Sequence, residues 1–274
     1  MIDLHSGQLG LALGGGGVKG LAHIPLLKWL DDQGLKPRLI AGTSMGAILG
    51  ALYAAGLSGR EIESRVLDHA LPTGEKPSVW FRRRRQLAKW TKVFRWEKNR
   101  GGLVAADGLF EHLFSELIEM EFSDLPVRFK AVATRFHSGE VEVISEGGLL
   151  QAVQASMAVP GVFAPVTRNG ELLVDGGAVN NLPCDLLEDC EVRIASDVID
   201  LPAQEAPTTM EVVAGAINIV INHATRERLR QHPPTLLFEP DTSGIDAFDF
   251  HRLREAIARG EQAVARQLTS LGNG

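Results

Sequence analysis

Residues 37–56 read Pro37-Arg38-Leu39-Ile40-Ala41-Gly42-Thr43-Ser44-Met45-Gly46-Ala47-Ile48-Leu49-Gly50-Ala51-Leu52-Tyr53-Ala54-Ala55-Gly56. Pro37–Ala41 predicts a strand, and Met45–Ala55 a helix of small and apolar residues closed by Gly56. Between them lies Gly42-Thr43-Ser44-Met45-Gly46, a G-x-S-x-G in the strand-to-helix context that a nucleophile elbow requires. A serine on such a turn occupies a strained backbone position, and the glycines two residues to either side relieve the crowding. Ala47 and Gly50 keep the helix face close to the sheet. Ser44 then stands at the carboxyl end of a strand, where open α/β sheets place ligands. A serine that only N-caps the helix is the alternative reading.

The alternation of strand and helix continues on both sides. Gln8–Leu13 is an apolar strand that stops at four glycines, and Val18 to Gln33 follows as a helix with Leu21, Ile24, Leu27 and Leu30 at helical spacing. Ser58 and Glu61 have the spacing of a capping box and open another helix. Asp107 caps a helix over Gly108 to Met120. Arg128–Thr134 and Glu140–Ile144 are strands joined by a Ser138–Gly139 turn, and Leu149–Met157 is a helix that stops near Pro160. Glu171–Val174 and Val192–Val198 are short strands. Thr208 and Glu211 form a second capping box, opening a long helix towards Arg230 that Pro233–Pro234 terminates. Thr235–Glu239 is a late strand and His251–Leu268 a closing helix. This order predicts an α/β fold with a mostly parallel central sheet and helices on both faces. No linker and no internal repeat divides residues 1–274, which read as one domain.

Two further segments bear on chemistry. Gly14-Gly15-Gly16-Gly17-Val18-Lys19-Gly20 lies between a strand and a helix. Its backbone N–H groups are free of side chains and lie at a helix N-terminus, suited to a phosphate or a developing oxyanion. Gly15, Gly17 and Gly20 fit G-x-G-x-x-G. The dinucleotide fingerprint also wants an acid after the second strand, where this chain has Ala41-Gly42-Thr43-Ser44. A Walker A loop wants Gly-Lys-Ser/Thr, where this chain has Lys19-Gly20. A phosphate- or nucleotide-binding module is thereby disfavoured, and the oxyanion reading gains. The other segment is Asp175-Gly176-Gly177, after the apolar Leu172–Val174. Its glycines let the chain turn so that a carboxylate points into a cleft. An ordinary Asp-Gly turn is the alternative.

Together these segments resemble the patatin-like phospholipase family. The resemblance adds Ala155-Ser156-Met157-Ala158-Val159-Pro160, similar to the family's A-S-x-A-x-P, and the order of motifs matches over roughly residues 9–200. It implies a patatin-like variant of the α/β-hydrolase architecture. It implies Ser44 as nucleophile, Asp175 as the base contacting it directly, and Gly15, Gly16 and Gly17 as the oxyanion loop. Lys19, Gly20, Gly42, Gly46, Gly176 and Gly177 support those motifs. Gly14 stands where some members have Asp. The implied activity is hydrolysis of carboxylic esters of phospholipids or lysophospholipids. The sequence has no obvious cluster of carboxylates for calcium, so no metal is expected, and no cofactor. A carboxylesterase with little preference for lipid is the rival within enzymes.

Histidines offer a different base. A Ser–acid–His order would need one after Asp175, and His223, His232 and His251 all qualify by position. None has the short loop context of a triad base. His23 reads as a residue on a helix side.

Composition sets the remaining expectations. The net charge is −6, yet Lys76–Arg100 holds ten Lys/Arg against one acid, Glu97, so that segment carries about +9. Trp80, Trp90 and Trp96 lie within it, with Phe81 and Phe94. Residues 76–106 therefore read as a basic aromatic flap or insertion that touches anionic membrane, or else as a solvated loop. No nucleic-acid module accompanies the arginines. Cys184 and Cys190 are the only cysteines, too few for a zinc site, and read as buried free thiols in a reducing compartment. Without an apolar run of spanning length or a signal-like N-terminus, the expected location is cytoplasmic, with peripheral membrane contact.

Overall fold

The computed structural model describes residue 4, residues 8–68, residue 117, and residues 119–201 and 209–272. The basic aromatic segment, most of the helix expected over Gly108 to Met120, and the Thr208 cap lie outside the described residues.

One eight-stranded sheet organises the chain: β1 (Leu9–Leu13), β2 (Leu39–Thr43), β3 (Arg128–Arg135), β4 (Val141–Ile144), β5 (Val166–Arg168), β6 (Glu171–Asp175), β7 (Val192–Ser196) and β8 (Leu236–Phe238). β3, β2, β1, β7 and β8 lie side by side and parallel, while β4 and β6 pair antiparallel with β3, and β5 with β6. The helices are α1 (Ile24–Asp32), α2 (Met45–Ala54), α3 (Gly59–Asp68), α4 (Leu149–Ser156), α5 (Thr209–Gln231) and α6 (Leu253–Gly272).

The central strands are buried on both faces, so they read as continuous apolar runs rather than alternations. Leu9, Leu11, Leu13, Ile40 and Ile194 face a large core built with α1, α2, α4 and α6. Ala12, Leu39, Ala41 and Ala195 face the other side, where Leu182, Cys184, Leu187 and Cys190 pack, joined by Leu229 of α5. Helices thus cover both faces, and both cysteines are free and buried.

The register of β3 decides where the site forms. β2 pairs with residues 128–132 of β3, β4 with 131–134, and β6 with 133–135. β4 overlaps each of the other two, so it takes the opposite edge from both. β2 and β6 therefore share one edge of β3, running towards each other. Thr43, the end of β2, sits opposite Val132, and Asp175, the end of β6, sits opposite Ala133.

Two details depart from the sequence reading. The segment after the glycine run is a 3-10 helix over Gly17–His23, and the α-helix begins only at Ile24. Pro25 is the reason: it has no N–H to bond back to Leu21, and belongs in a first turn. A three-residue strand, β5, was not expected. It pairs with β6 through an Asn169-Gly170 turn, both residues in the left-handed region (φ 51 and 83) that hairpin turns favour.

Candidate functional site

Ser44 lies on the sharp turn from β2 to α2, with φ 53 and ψ −121. A backbone of this kind is strained for any side chain, by about 1–3 kcal/mol. The turn is tight enough that a Cβ on Gly42 would lie 2.4 Å from the carbonyl oxygen of Gly46, and one on Gly46 would lie 2.1 Å from that of Leu13. Only glycine fits either place. The strained residue is held by a tether the motif does not show. Its N–H donates to Ser156 Oγ at 2.9 Å, and that hydroxyl donates to the Val132 carbonyl at 2.6 Å. Ser156 ends α4 and is wholly buried.

Asp175 ends β6 beside this turn. Its Oδ1 accepts from Gly177 N–H at 2.7 Å, which the Gly176–Gly177 turn makes available. Thr134 fixes the strand end by donating to the Asp175 carbonyl at 2.8 Å. Burial pushes the carboxyl up to about 6, against the opposite pull of the Ser44 hydroxyl and the Gly177 N–H. The hydroxyl is near enough to exert that pull, yet among the described residues Oδ2 lies buried without a hydrogen bond of its own. Contacts between nucleophile and base are often loose before substrate tightens them.

The glycine loop packs against the same turn. A Cβ on Gly15 would lie 3.1 Å from Ser44 Cβ, and one on Gly20 would lie 2.6 Å from Met45 Cγ. Gly14 N–H donates to the Ser196 carbonyl and Gly15 N–H to that of Asn181. The Gly15 N–H is therefore engaged, and Gly15 belongs to the loop through its backbone contact with Asn181. Among the described residues nothing accepts from Gly16 N–H or Gly17 N–H. Gly17 has φ 58, and a Cβ there would lie 2.2 Å from the Ala247 carbonyl oxygen, so the loop requires glycine at this position.

Two residues that the sequence reading did not place in the site hold this loop. Asn181 Nδ2 donates to the Gly15 carbonyl at 3.3 Å, while its Oδ1 would lie 3.0 Å from a Cβ on Gly177, so it spans the two glycine segments. His23 is wholly buried, with Nε2 at 2.9 Å from the Gly14 carbonyl and Nδ1 at 2.8 Å from Ser196 Oγ. A carbonyl can only accept, so Nε2 carries the proton and Nδ1 accepts from the hydroxyl. Burial lowers the His23 pKa to about 4, and the ring is neutral at pH 7.

The histidines that follow Asp175 in the chain lie elsewhere. His223 and His251 are exposed, and His232 pairs with Glu188 at 2.9 Å. Lys19 is buried, and desolvation lowers its pKa while Asp200 and Asp246 pull it back up. Among the described residues no cluster of His, Cys, Asp or Glu could hold a metal ion. What the site offers is a hydroxyl on a strained turn, a carboxyl with raised pKa beside it, and two unengaged N–H donors on a loop touching the serine.

Residues 11–188 match the model of the family described as patatin-like phospholipase. The chain is 32% identical over 205 residues to a Kluyveromyces lactis protein named lysophospholipase NTE1, covering 70% of this chain and 13% of that one. It is 30% identical over 200 residues to a patatin-like phospholipase domain-containing protein of Caenorhabditis elegans, covering 71% and 14%. The chain thus spans about a seventh of the length of these relatives. The fold is similar to that of VipD from Legionella pneumophila, with a TM-score of 0.53 at 14% identity, over 96% of this chain and 66% of that one. With its family model and its relatives in agreement, the chain belongs to the patatin-like phospholipase family.

Proposed function

We propose that the chain is a serine lipid-acyl hydrolase that cleaves carboxylic esters of phospholipids or lysophospholipids through an acyl-enzyme, with Ser44 as nucleophile and Asp175 as base. One patatin-like domain over residues 1–274 carries the reaction. The observation that supports this most is the abutment of β2 and β6 along one edge of β3, opposite the neighbouring residues Val132 and Ala133. Neighbouring Cα atoms are only about 3.8 Å apart.

Ser44 Oγ attacks the ester carbonyl carbon as its proton passes to Asp175. The carbonyl oxygen becomes an oxyanion that accepts from Gly16 N–H and Gly17 N–H. Asp175 returns the proton to the departing alcohol oxygen, the carbon–oxygen ester bond breaks, and the acyl group stays on Ser44. A water then gives a proton to Asp175 and attacks the acyl carbon. Collapse of the second oxyanion releases the fatty acid, and Ser44 recovers its proton. An isolated carboxylate is a weak base, and a pKa raised to about 6 strengthens it while leaving it ionised above neutrality.

The relatives' names, lysophospholipase and phospholipase, support a lipid as substrate. The excess charge of Lys76–Arg100 supports a peripheral contact with anionic membrane. A panel of phospholipids, lysophospholipids and p-nitrophenyl esters, assayed on wild type and Ser44→Ala, tests the reading. Turnover that disappears in the variant is expected. Equal turnover by both proteins would refute it.

A further inference from the structure

Helix α5 is unusual among the helices. Its C-terminal half is attached to the sheet. Leu229 packs on the small core, Arg226 reaches towards Asp197 at 4.0 Å, and Asn222 Nδ2 donates to the Ile199 carbonyl at 3.1 Å. Reading back along α5 from Arg226 to Asn222 thus follows the chain after β7 forward from Asp197 to Ile199, beyond the strand's carboxyl end. The helix continues for ten more residues to Val212, about 15 Å at 1.5 Å per residue. This half therefore projects past the edge of the sheet at which Ser44 stands.

Its composition does not suit water. Residues 212–222 contain no Lys, Arg, Asp or Glu. Val212, Val213, Ile217, Ile219 and Val220 are each 50–65% exposed. At 100° per residue they spread over nearly half the helix circumference; Ala216 within that arc and Ala214 just beyond it are exposed as well. A helix apolar over so wide an arc matches hydrocarbon better than the narrow seam of a helix pair. Two further large apolar side chains are exposed past the carboxyl ends of strands. Leu201 is exposed beyond β7. Phe248 is exposed beyond β8, next to the Ala247 that accepts from Val18 N–H in the glycine loop.

We propose that residues 212–221 of α5, with Leu201 and Phe248, form an apolar docking face that enters the surface of a phospholipid bilayer and sets the Ser44 edge of the sheet against it. This rests on the lipid-hydrolase reading for its occupant. An enzyme acting on aggregated lipid gains from an apolar contact beside its site, because the ester then need not leave the bilayer to reach the serine. The attraction is hydrophobic, so it resists salt. Contact through Lys76–Arg100 would be screened at about 1 M salt, where the Debye length is about 3 Å.

The test uses the full chain and its Ile217→Ser/Val220→Ser double variant. Flotation with phosphatidylcholine vesicles is measured at low and high salt, and turnover of vesicle lipid is compared with that of a monomeric short-chain p-nitrophenyl ester. Expected results are wild-type flotation that persists in high salt, a roughly tenfold or greater loss of vesicle binding and turnover in the variant, and ester turnover within about twofold of wild type. Unchanged vesicle binding would overturn the docking face while leaving the hydrolase reading intact. A fall in solution mass on light scattering would assign the face to a second copy instead. A lowered Tm with both substrates lost equally would assign it to packing within the chain. If wild type hydrolyses neither substrate, the hydrolase reading fails, and flotation still reads the docking face separately.

Discussion

Ser156 Oγ accepts the backbone N–H of Ser44 at 2.9 Å, and in the same geometry donates to Val132 of β3 at 2.6 Å. One hydroxyl thus ties the strained turn to the strand on which β2 and β6 meet. Removing it leaves a buried N–H and a buried carbonyl unpaired, each worth about 1–3 kcal/mol. Ser156→Ala should lower stability by about 2–3 kcal/mol and kcat by roughly ten- to a hundredfold, with a small effect on KM. Chemical denaturation and steady-state kinetics check this. A variant with wild-type kcat would show that the turn holds Ser44 unaided.

Asp175 must be ionised to take a proton, and its pKa lies at about 6. The kcat/KM of an uncharged ester should therefore rise with pH, inflect near 6 and level off above about 7. A profile that is flat from pH 5 to 8 would contradict this.

The same group predicts how stability depends on pH. Its folded pKa of about 6 lies above the ordinary 3.8, so the folded state holds the proton more tightly. That contribution is fully present below about pH 4 and is lost as pH rises through 6. Asp175→Asn removes the burial cost of the charge. Its Tm should exceed that of wild type at pH 8 by roughly 2–4 °C, and the difference should vanish near pH 4. Asp197, also raised to about 6 by burial, titrates in both proteins and leaves a common slope. Scanning calorimetry at the two pH values gives the answer, and a variant less stable at pH 8 than at pH 4 relative to wild type would contradict the sign.

His23 clamps the glycine loop as a neutral ring. His23→Leu should destabilise by about 2–4 kcal/mol, because it leaves the Gly14 carbonyl and the Ser196 hydroxyl unpaired. It should also lower kcat while leaving the inflection near pH 6 in place. If that inflection disappeared, His23 and not Asp175 would be the titrating base.

Much of this arrangement was legible in the sequence. The strand–helix punctuation at Gly42–Gly46, the glycine run and Asp175-Gly176-Gly177 each carry local signals, and the parallel order follows from alternation. What escaped was non-local or small. Ser156 was legible as part of the Ala155–Pro160 block but its role was not: like Asn181 it acts through a side chain that reaches far along the chain, 112 residues to Ser44 and 166 to Gly15, and no spacing rule records such distances. His23 looked like any helical histidine, because only the tertiary fold buries it beneath Gly14. The occupied N–H of Gly15 depends on an acceptor at Asn181. Two signals were local and still readable: Pro25, which shortens α1, and Asn169-Gly170, which turns β5 into β6. The apolar half of α5 was read as an ordinary long helix, since only the structure shows that nothing among the described residues covers it.

The pairing of Ser44 with Asp175 is tested most directly by covalent labelling with a fluorophosphonate, followed by intact-mass and peptide analysis. One adduct per chain is expected on Ser44, none on Ser44→Ala, and labelling of Asp175→Asn slowed by roughly a hundredfold or more. An adduct on another residue, or Asp175→Asn labelled as fast as wild type, would contradict it.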